Sequence, residues 1–223
     1  MKNSHKLLLG FALVYFIGQS ITFSIGHTTE MEKSQKIRSQ KKTVAFEKNF
    51  TVLMVDAKGH ITLTQSPSTE AEFYGDQHLP NTSLKCEIAN DTCFVRAFAP
   101  DSVGARNLVI KTPDITSIHL RGNTFFRLNG KFDSLEIHNE NGWLNINHGA
   151  QITYLKLSAK NNSSNDLYGV QNGIIELDHA KVDLRNKAKG LYVKLQNNSR
   201  ITIQKSPDQF ELEKDESSNI RIY

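Results

Sequence analysis

The histidines and cysteines are the first side chains to consider for acid–base or metal chemistry in this 223-residue chain. Asp178 and His179 are the most suggestive neighbours, but adjacent residues of a strand point to opposite faces, and no third group completes an acid–base set. His138 and His148 flank neighbouring predicted strands and could meet through stacking, yet no third metal ligand is evident. The sequence contains no phosphate-binding glycine loop, serine nucleophile elbow or zinc-protease motif. We therefore expect no catalytic residue, metal or cofactor.

The two cysteines, Cys86 and Cys93, lie in a segment that predicts a β-hairpin. Asn90-Asp91 is good turn chemistry between two β-prone runs, so the two sulfurs could face each other. In an exported protein such a pair most simply forms a disulfide; two free thiols are the alternative. Without a second Cys/His pair, the spacing does not indicate a metal site.

Four residues near predicted corners are candidates for ligand contact. Trp143 and Tyr168 could stack on sugars, although packing at the end of a strand is the favoured explanation for both. Asn161 and Asn162 lie in the longest predicted corner, Ser158 to Asp166, which could bulge into a binding loop. A tolerated insertion is the alternative for that corner.

An apolar–polar–apolar triplet returns every 17 to 20 residues and must position these side chains. The first triplets are Ile118-His119-Leu120, Leu135-Glu136-Ile137, Leu155-Lys156-Leu157, Ile175-Glu176-Leu177, Val193-Lys194-Leu195 and Phe210-Glu211-Leu212. The second triplets are Phe126-Arg127-Leu128, Leu144-Asn145-Ile146, Val182-Asp183-Leu184, Ile201-Thr202-Ile203 and Ile220-Arg221-Ile222, with Leu167 near the place missing in the third repeat. A period of this length predicts a β-solenoid, in which stacked coils bury a shared apolar interior.

Within each triplet the apolar members should point inwards and the central member outwards, because residues i and i+2 of a strand share a face. His119 is then a plain surface residue. From the second coil, the outward column predicted by aligning the triplets alternates in charge: Glu136, Lys156, Glu176, Lys194 and Glu211. Asparagines are frequent between the strands, and asparagine tolerates the left-handed backbone of tight corners. No segment after the N-terminal region shows a helical period, so the domain should be almost entirely β.

The N-terminal region differs from the rest of the chain. Lys2 and Lys6 precede an eleven-residue apolar run, Leu7–Ile17, and small residues follow at spacing typical of signal-peptide cleavage. Residues 1–26 are therefore interpreted as a signal peptide, with an uncleaved membrane anchor as the alternative. Residues 27–43 are polar and basic and predict a flexible linker. The solenoid domain is expected to span residues 44–223, with the disulfide hairpin near 84–95.

The location of positive charge argues against nucleic-acid binding. The chain carries a formal net charge of +4, but seven of its 27 Lys and Arg residues precede residue 44. The rest of the chain has 20 Lys and Arg against 21 Asp and Glu, a net charge of −1. A nucleic-acid binder normally concentrates positive charge on its folded face.

Residues from about Val44 to Ser206 resemble the auto-transporter adhesin head (GIN) domain family of bacterial exported proteins. The likeness rests on Val52–Gln65, on Ala71–Asp76 with the following Leu84–Val95 hairpin, and on the repeated triplets. The resemblance implies a right-handed, single-stranded parallel β-helix with short coils of about 17–20 residues, following a signal or lipid anchor. It implies no catalytic residues. The cysteine hairpin, the absence of a lipobox cysteine and the asparagine-rich corners depart from the family pattern.

These observations predict an exported, non-enzymatic β-solenoid that acts as an adhesin-like or cell-envelope interaction module. An envelope protein or a glycan is the expected partner, the periplasm or cell surface of a bacterium the expected location, and an inner-membrane anchor possible only through an uncleaved N-terminal segment. A monomer or weak homodimer through the last coil is expected, since that coil ends as a strand edge. The alternative function is a β-helix enzyme acting on polysaccharide, a lyase or a hydrolase, which would need ionisable groups converging in a groove.

Overall fold

The structure is a computed structural model that describes residues 41–74, 84–97 and 107–223. The expected signal peptide and most of the expected linker lie outside these residues. The first strand begins at Lys41, three residues before the expected domain boundary at residue 44. In the described ranges there is no helix long and apolar enough to cross a membrane.

The described residues form nineteen β-strands and no helix, so the predicted all-β fold is confirmed. The strands are β1 (Lys41–Ala45), β2 (Val52–Asp56), β3 (Gly59–Gln65), β4 (Glu70–Tyr74), β5 (Leu84–Ala89), β6 (Thr92–Ala97), β7 (Asn107–Thr112), β8 (Ser117–Arg121), β9 (Thr124–Asn129), β10 (Lys131–Glu140), β11 (Trp143–Ile146), β12 (Gln151–Lys160), β13 (Ser164–Leu167), β14 (Val170–Asp178), β15 (Lys181–Leu184), β16 (Gly190–Gln196), β17 (Arg200–Ile203), β18 (Gln209–Lys214) and β19 (Asn219–Ile222).

Two sheets enclose the interior. The first has the order β1-β4-β7-β3-β9-β11-β13-β15-β17-β19, and the second has the order β18-β16-β14-β12-β10-β8-β2-β6-β5. From β8 onwards, successive strands alternate between the second and the first sheet, and each pairs in parallel with the strand two places further along the chain. This arrangement is a β-solenoid of six regular coils, as the triplet repeat predicts.

The start of the solenoid departs from chain order. The coil β2–β3 lies between the coil β8–β9 on one side and strands β6 and β7 on the other, and all of these pairings are parallel. Strands β4 and β5 pair antiparallel with β7 and β6 and extend the two sheets. The antiparallel strands occupy one end of each parallel stack, whereas β18 and β19 are the edge strands at the other end.

The interior is a column of buried apolar side chains, and a small number of buried polar side chains, including Asn139 and Asn165, lie within it. Ile118, Ile137, Leu157, Ile175 and Val193 are stacked by the strand pairing of the second sheet, and all five are fully buried. This stacking confirms the predicted inward face of the first triplets, except in the last coil, where Leu212 is exposed. Coils repeat every 18 to 20 residues along this column, within the predicted spacing.

The alignment of the first triplets differs from the sequence prediction by two residues at several steps. Leu155 pairs with Gly173, so that Lys156 lies beside Ile174 and Glu176 lies beside Ser158. The predicted unbroken alternation of charge is therefore wrong, although Glu136 still pairs with Lys156 and Glu176 with Lys194. A two-residue shift keeps every side chain on its face, so the alternation of apolar and polar residues does not exclude it.

Tight corners depend on residues that tolerate a left-handed backbone. Positive φ angles occur at Asn90, Asp91, Asn141, Asn161, Asn162, His179, Asn197 and Asn198, which confirms the predicted role of asparagine. The corner after β12 contains only residues 161–163, because β12 and β13 include most of the segment expected to bulge. The predicted long loop from Ser158 to Asp166 is therefore wrong.

Two glycines mark opposite extremes of backbone crowding. Gly169 has a φ of +68°, and a Cβ built there would lie 1.8 Å from the carbonyl oxygen of Ala150. Gly149 has no heavy atom within 4 Å of the equivalent position. The first corner therefore requires glycine, whereas the second has open space.

Two buried asparagines connect adjacent coils inside the solenoid. The Asn139 amide Nδ2 donates to Asn165 Oδ1 at 2.8 Å and to the Gly142 carbonyl at 3.1 Å, while its Oδ1 accepts from the Gly142 N–H at 3.1 Å. Asn165 Nδ2 donates to the Lys181 carbonyl at 2.9 Å. Asn165 thus occupies the inward position missing from the third repeat, and Leu167 lies in the next inward position, opposite Leu184.

Candidate functional site

An aromatic ladder crosses the outer face of the first sheet. Strand pairing places His60, Phe125 and Trp143 side by side on β3, β9 and β11. The His60 and Phe125 rings lie 4.8 Å apart, and the Phe125 and Trp143 rings meet edge to face, also at 4.8 Å between centroids. Trp143 keeps 50% of its surface exposed, an unusual amount for a large apolar side chain within a sheet. The guanidinium of Arg127 lies 5.7 Å from the centre of the Phe125 ring.

A shallow depression of about 380 Å³ lies against this ladder. Phe125 and Trp143 supply its apolar surface. Its polar lining comes from Asn123, Thr124, Asn141, Gly142, Asn162 and Ser164. Within the described part of the chain, the three asparagine amides make no hydrogen bond through their side chains, so their donors and acceptors face solvent.

Two cations continue the same outward column beyond Trp143. Strand pairing orders it as Trp143, Ser164, Lys181 and Arg200, about 4.8 Å apart from one strand to the next. Both cationic side chains are exposed, and neither forms an ion pair with another described residue.

The neighbouring column carries two acids that one arginine engages. Arg185 lies 2.8 Å from the Asp166 carboxylate and 3.9 Å from that of Asp183. Its hydrogen bond to Asp166 is the main reason that the pKa of Arg185 lies above its ordinary value. Asp166 and Asp183 therefore contact Arg185 and form no ion pair with Lys181 or Arg200, which remain available to a ligand.

A histidine pair lies on the outer face of the second sheet. The rings of His119 and His138 stack with centroids 4.6 Å apart and planes 14° apart. Ser117 Oγ lies 3.1 Å from His119 Nε2, and His138 Nε2 lies 3.3 Å from Glu136 Oε1, which also contacts Lys156 at 2.8 Å. Burial is the largest effect on His119 and lowers its pKa, as do the charges of His138 and Arg121; Glu136 and Glu140 act in the opposite direction.

A second, smaller depression of about 240 Å³ lies on the same sheet. Its charged lining alternates in sign, with Lys160 and Lys194 beside Glu176 and Asp178. Asp178 also accepts a hydrogen bond from Asn197 Nδ2 at 2.6 Å. The strand register pairs Lys160 with Asp178 and Lys194 with Glu176, so each acid of this depression has a cation on the neighbouring strand.

The cysteines form a hydrogen-bonded pair of free thiols in this structure. Cys86 pairs across the hairpin with Val95 and Cys93 with Ile88, so the cysteines are diagonal rather than directly opposite. Their mutual hydrogen bond lowers the pKa of Cys86; the same bond and burial raise that of Cys93. The hairpin itself, with Asn90 and Asp91 at its turn, is confirmed.

The structure brings together only some of the candidate contact residues. Trp143 and Asn162 line one depression, and Asn161 precedes Asn162 in the same corner. Tyr168 lies elsewhere and packs on His148, with ring centroids 5.4 Å apart. The sequence left open an approach of His138 to His148; in the structure His138 stacks on His119, and His148 packs on Tyr168. No group of three or more metal-binding side chains occurs among the residues that the structure describes.

Sequence reasoning missed Phe125 as the neighbour of Trp143 and His60 as the neighbour of Phe125. Phe125 and Trp143 each stand immediately before the first member of a second triplet, Phe126 and Leu144. Alignment of those triplets would therefore have predicted the contact between Phe125 and Trp143. His60 could not be found in that way, because its coil is out of chain order.

Comparisons with known proteins support the fold. No protein-family model matches this chain, and no curated protein matches it. A solved structure from Bacteroides fragilis, named "putative adhesin", is 17% identical with a TM-score of 0.60, and the match covers 82% of this chain and 97% of that chain.

Two further solved structures come from Parabacteroides. A "putative adhesin" from Parabacteroides merdae is 12% identical with a TM-score of 0.52, covering 82% of this chain and 95% of that chain. A "putative lipid binding protein" from Parabacteroides distasonis is 11% identical with a TM-score of 0.50, covering 82% and 96%. At these identities the likeness shows a shared fold. The resemblance seen in the sequence thus extends to structures with adhesin names, while the GIN family itself has no matching model.

Proposed function

We propose that this protein is an exported, non-enzymatic adhesin-like module that binds a partner at the cell envelope or cell surface. The observation that carries the proposal is the half-exposed Trp143, held on Phe125 in the middle of a sheet and surrounded by unpaired amides. Aromatic rings with nearby polar groups are typical of binding surfaces. The likeness to solved structures named as adhesins supports the same function.

Surface binding tests the proposal directly. Beads coated with the purified full-length chain would be incubated with intact bacterial cells, host cells, matrix proteins and envelope fractions, with albumin-coated beads as the control. We expect saturable binding to at least one of these surfaces. Binding no greater than that of the albumin beads across the whole panel would refute the adhesin-like function.

An enzymatic role has a separate test. The chain would be incubated with acidic and neutral polysaccharides while unsaturated products and new reducing ends are measured. We expect no cleavage. Turnover that disappears in the E176Q/D178N double variant would instead support a polysaccharide enzyme, because these two acids line the charged depression.

Export should leave the hairpin thiols oxidised. In an oxidising compartment, Cys86 and Cys93 would form a disulfide that closes the Asn90-Asp91 turn. The chain purified from the exported fraction without reductant, and then unfolded in denaturant to expose the buried Cys93, should react with a thiol reagent only after reduction. Immediate reaction at both cysteines would contradict the proposed disulfide, and N-terminal mass determination on the same sample would decide whether residues 1–26 are removed.

A further inference from the structure

The Trp143 depression and the two cations beyond it form one continuous surface, which we call the platform: Phe125, Trp143, Asn123, Asn141, Asn162, Ser164, Lys181 and Arg200. We propose that the platform binds a linear acidic oligosaccharide, with one sugar ring on Trp143 and carboxylates of following sugars at Lys181 and Arg200. This inference rests on the adhesin-like function and names its ligand class.

The chemistry around Trp143 matches a sugar ring. One face of a pyranose carries mainly C–H groups, and its edge carries hydroxyl groups. The exposed Trp143 ring offers an apolar surface for that face, fixed in orientation by its edge-to-face contact with Phe125. The free amides of Asn123, Asn141 and Asn162 can each donate to and accept from the hydroxyl groups.

The backbone holds these amides in place. Asn141 and Asn162 have φ angles of 63° and 64°, so each stands at a fixed corner. The Asn162 N–H donates to the His179 carbonyl at 2.6 Å, and the Ser164 N–H donates to the Gly142 carbonyl at 3.0 Å. Ligand binding therefore orders few backbone groups, which lowers its entropic cost.

The cations favour an acidic chain over a neutral one. Lys181 lies two strands beyond Trp143, about 10 Å away, and Arg200 lies about 14 Å away. A linear oligosaccharide lying along the solenoid axis passes each strand in turn, and so reaches both cations from a ring on Trp143. Nearby Asp166 and Asp183 are engaged by Arg185 and oppose this attraction less than free carboxylates would.

Other ligand classes fit the platform less well. A peptide added as a strand needs an open sheet edge, whereas β11 is paired on both sides, with β9 and β13. A lipid chain needs an enclosed apolar pocket, whereas this depression is shallow and its rim is amide-rich.

The experiment uses the full-length chain, whose single tryptophan is Trp143, so that intrinsic fluorescence reports this site alone. Oligogalacturonate, oligomannuronate and hyaluronan oligosaccharides are the acidic probes, and cello-oligosaccharides are the neutral probe. We expect saturable fluorescence changes with at least one acidic probe, weaker binding of the neutral probe, and affinity that falls as salt rises. Calorimetry would provide the dissociation constants for variants that lack tryptophan.

Two variants with matched controls separate stacking from charge. W143A should weaken acidic-probe binding by at least about tenfold, as loss of an aromatic anchor commonly does. The control Y154A removes another exposed aromatic side chain, on the other sheet, and should leave the affinity unchanged. K181Q/R200Q should weaken binding of acidic probes and reduce its salt dependence, whereas K131Q/K205Q removes two exposed lysines elsewhere without effect. Circular dichroism checks the fold, and W143L, which keeps bulk without an aromatic ring, replaces W143A if that variant unfolds.

Three results would overturn the inference. They are no signal by fluorescence or calorimetry with any acidic probe, equal affinity for acidic and neutral probes, and undiminished binding by W143A or W143L. The bead assay distinguishes this failure from failure of the adhesin-like function. If W143A beads still bind a cell surface as the unaltered chain does, the module is an adhesin-like protein that uses another face.

Discussion

Replacement of Asn139 by alanine should be among the most damaging polar substitutions in the solenoid. Asn139 is fully buried and makes three hydrogen bonds, two with the backbone of Gly142 and one with the Asn165 side chain. N139A leaves the Gly142 N–H and Asn165 Oδ1 without these partners in the interior. The Gly142 carbonyl still accepts from the Ser164 N–H at 3.0 Å.

The expected loss follows from the two orphaned groups. A buried polar group without a partner costs about 1–3 kcal/mol, so N139A should lower the free energy of unfolding by about 2–6 kcal/mol. N139D should cost at least as much at neutral pH, because its carboxylate would place an acceptor against the Gly142 carbonyl and Asn165 Oδ1. Part of that loss should be recovered in acid, where the carboxyl is protonated and can donate.

Urea unfolding followed by far-UV circular dichroism measures these changes. N145A is the matched control, because Asn145 is half-buried on the outer face and should cost no more than about 0.5 kcal/mol. A loss below about 1 kcal/mol in N139A, or an equal loss in N145A, would refute the view that the buried amides stabilise adjacent coils.

Three further predictions concern backbone, charge and the last coil. G169A should lower the free energy of unfolding by more than about 3 kcal/mol, because its Cβ would overlap a carbonyl oxygen at a left-handed position. The control G149A should be nearly neutral, since its Cβ would meet open space. Equal shifts of the thermal unfolding temperature in the two variants would contradict this prediction. Because the pKa of His119 is lowered below its ordinary 6.5, the unfolded chain binds more protons there, so stability is complete above pH 6.5 and is lost as pH falls through the lowered pKa. H119Q should reduce this acid loss in urea unfolding, while H179N, at an exposed corner, should retain it. Light scattering should give a monomer or a weak dimer, and deletion of residues 209–223 should abolish any dimer, since β18 and β19 are edge strands; an unchanged dimer mass would exclude association through this end.

The sequence by itself determined the class of fold and the face to which most side chains point. Alternation with period two distinguishes inward from outward residues, so the buried column containing Ile137 and Leu157 could be assigned to the interior without coordinates. Asparagine at the corners was equally predictable, because few other residues adopt positive φ at low cost. Trp143 and Asn162 could be chosen from the sequence as candidates for ligand contact, because their residue types and their positions near predicted corners were both evident there.

Only the tertiary structure decided which residues are neighbours across coils. A shift of two residues preserves every face, so the sequence pattern could not choose between Lys156 beside Glu176 and Lys156 beside Ile174. The insertion of β2–β3 between later strands brought His60 to Phe125, a contact between residues 65 positions apart. Likewise, the Asn139–Asn165 bond and the His119–His138 stack depend on coil length and register, which are fixed when all corners and strands pack together.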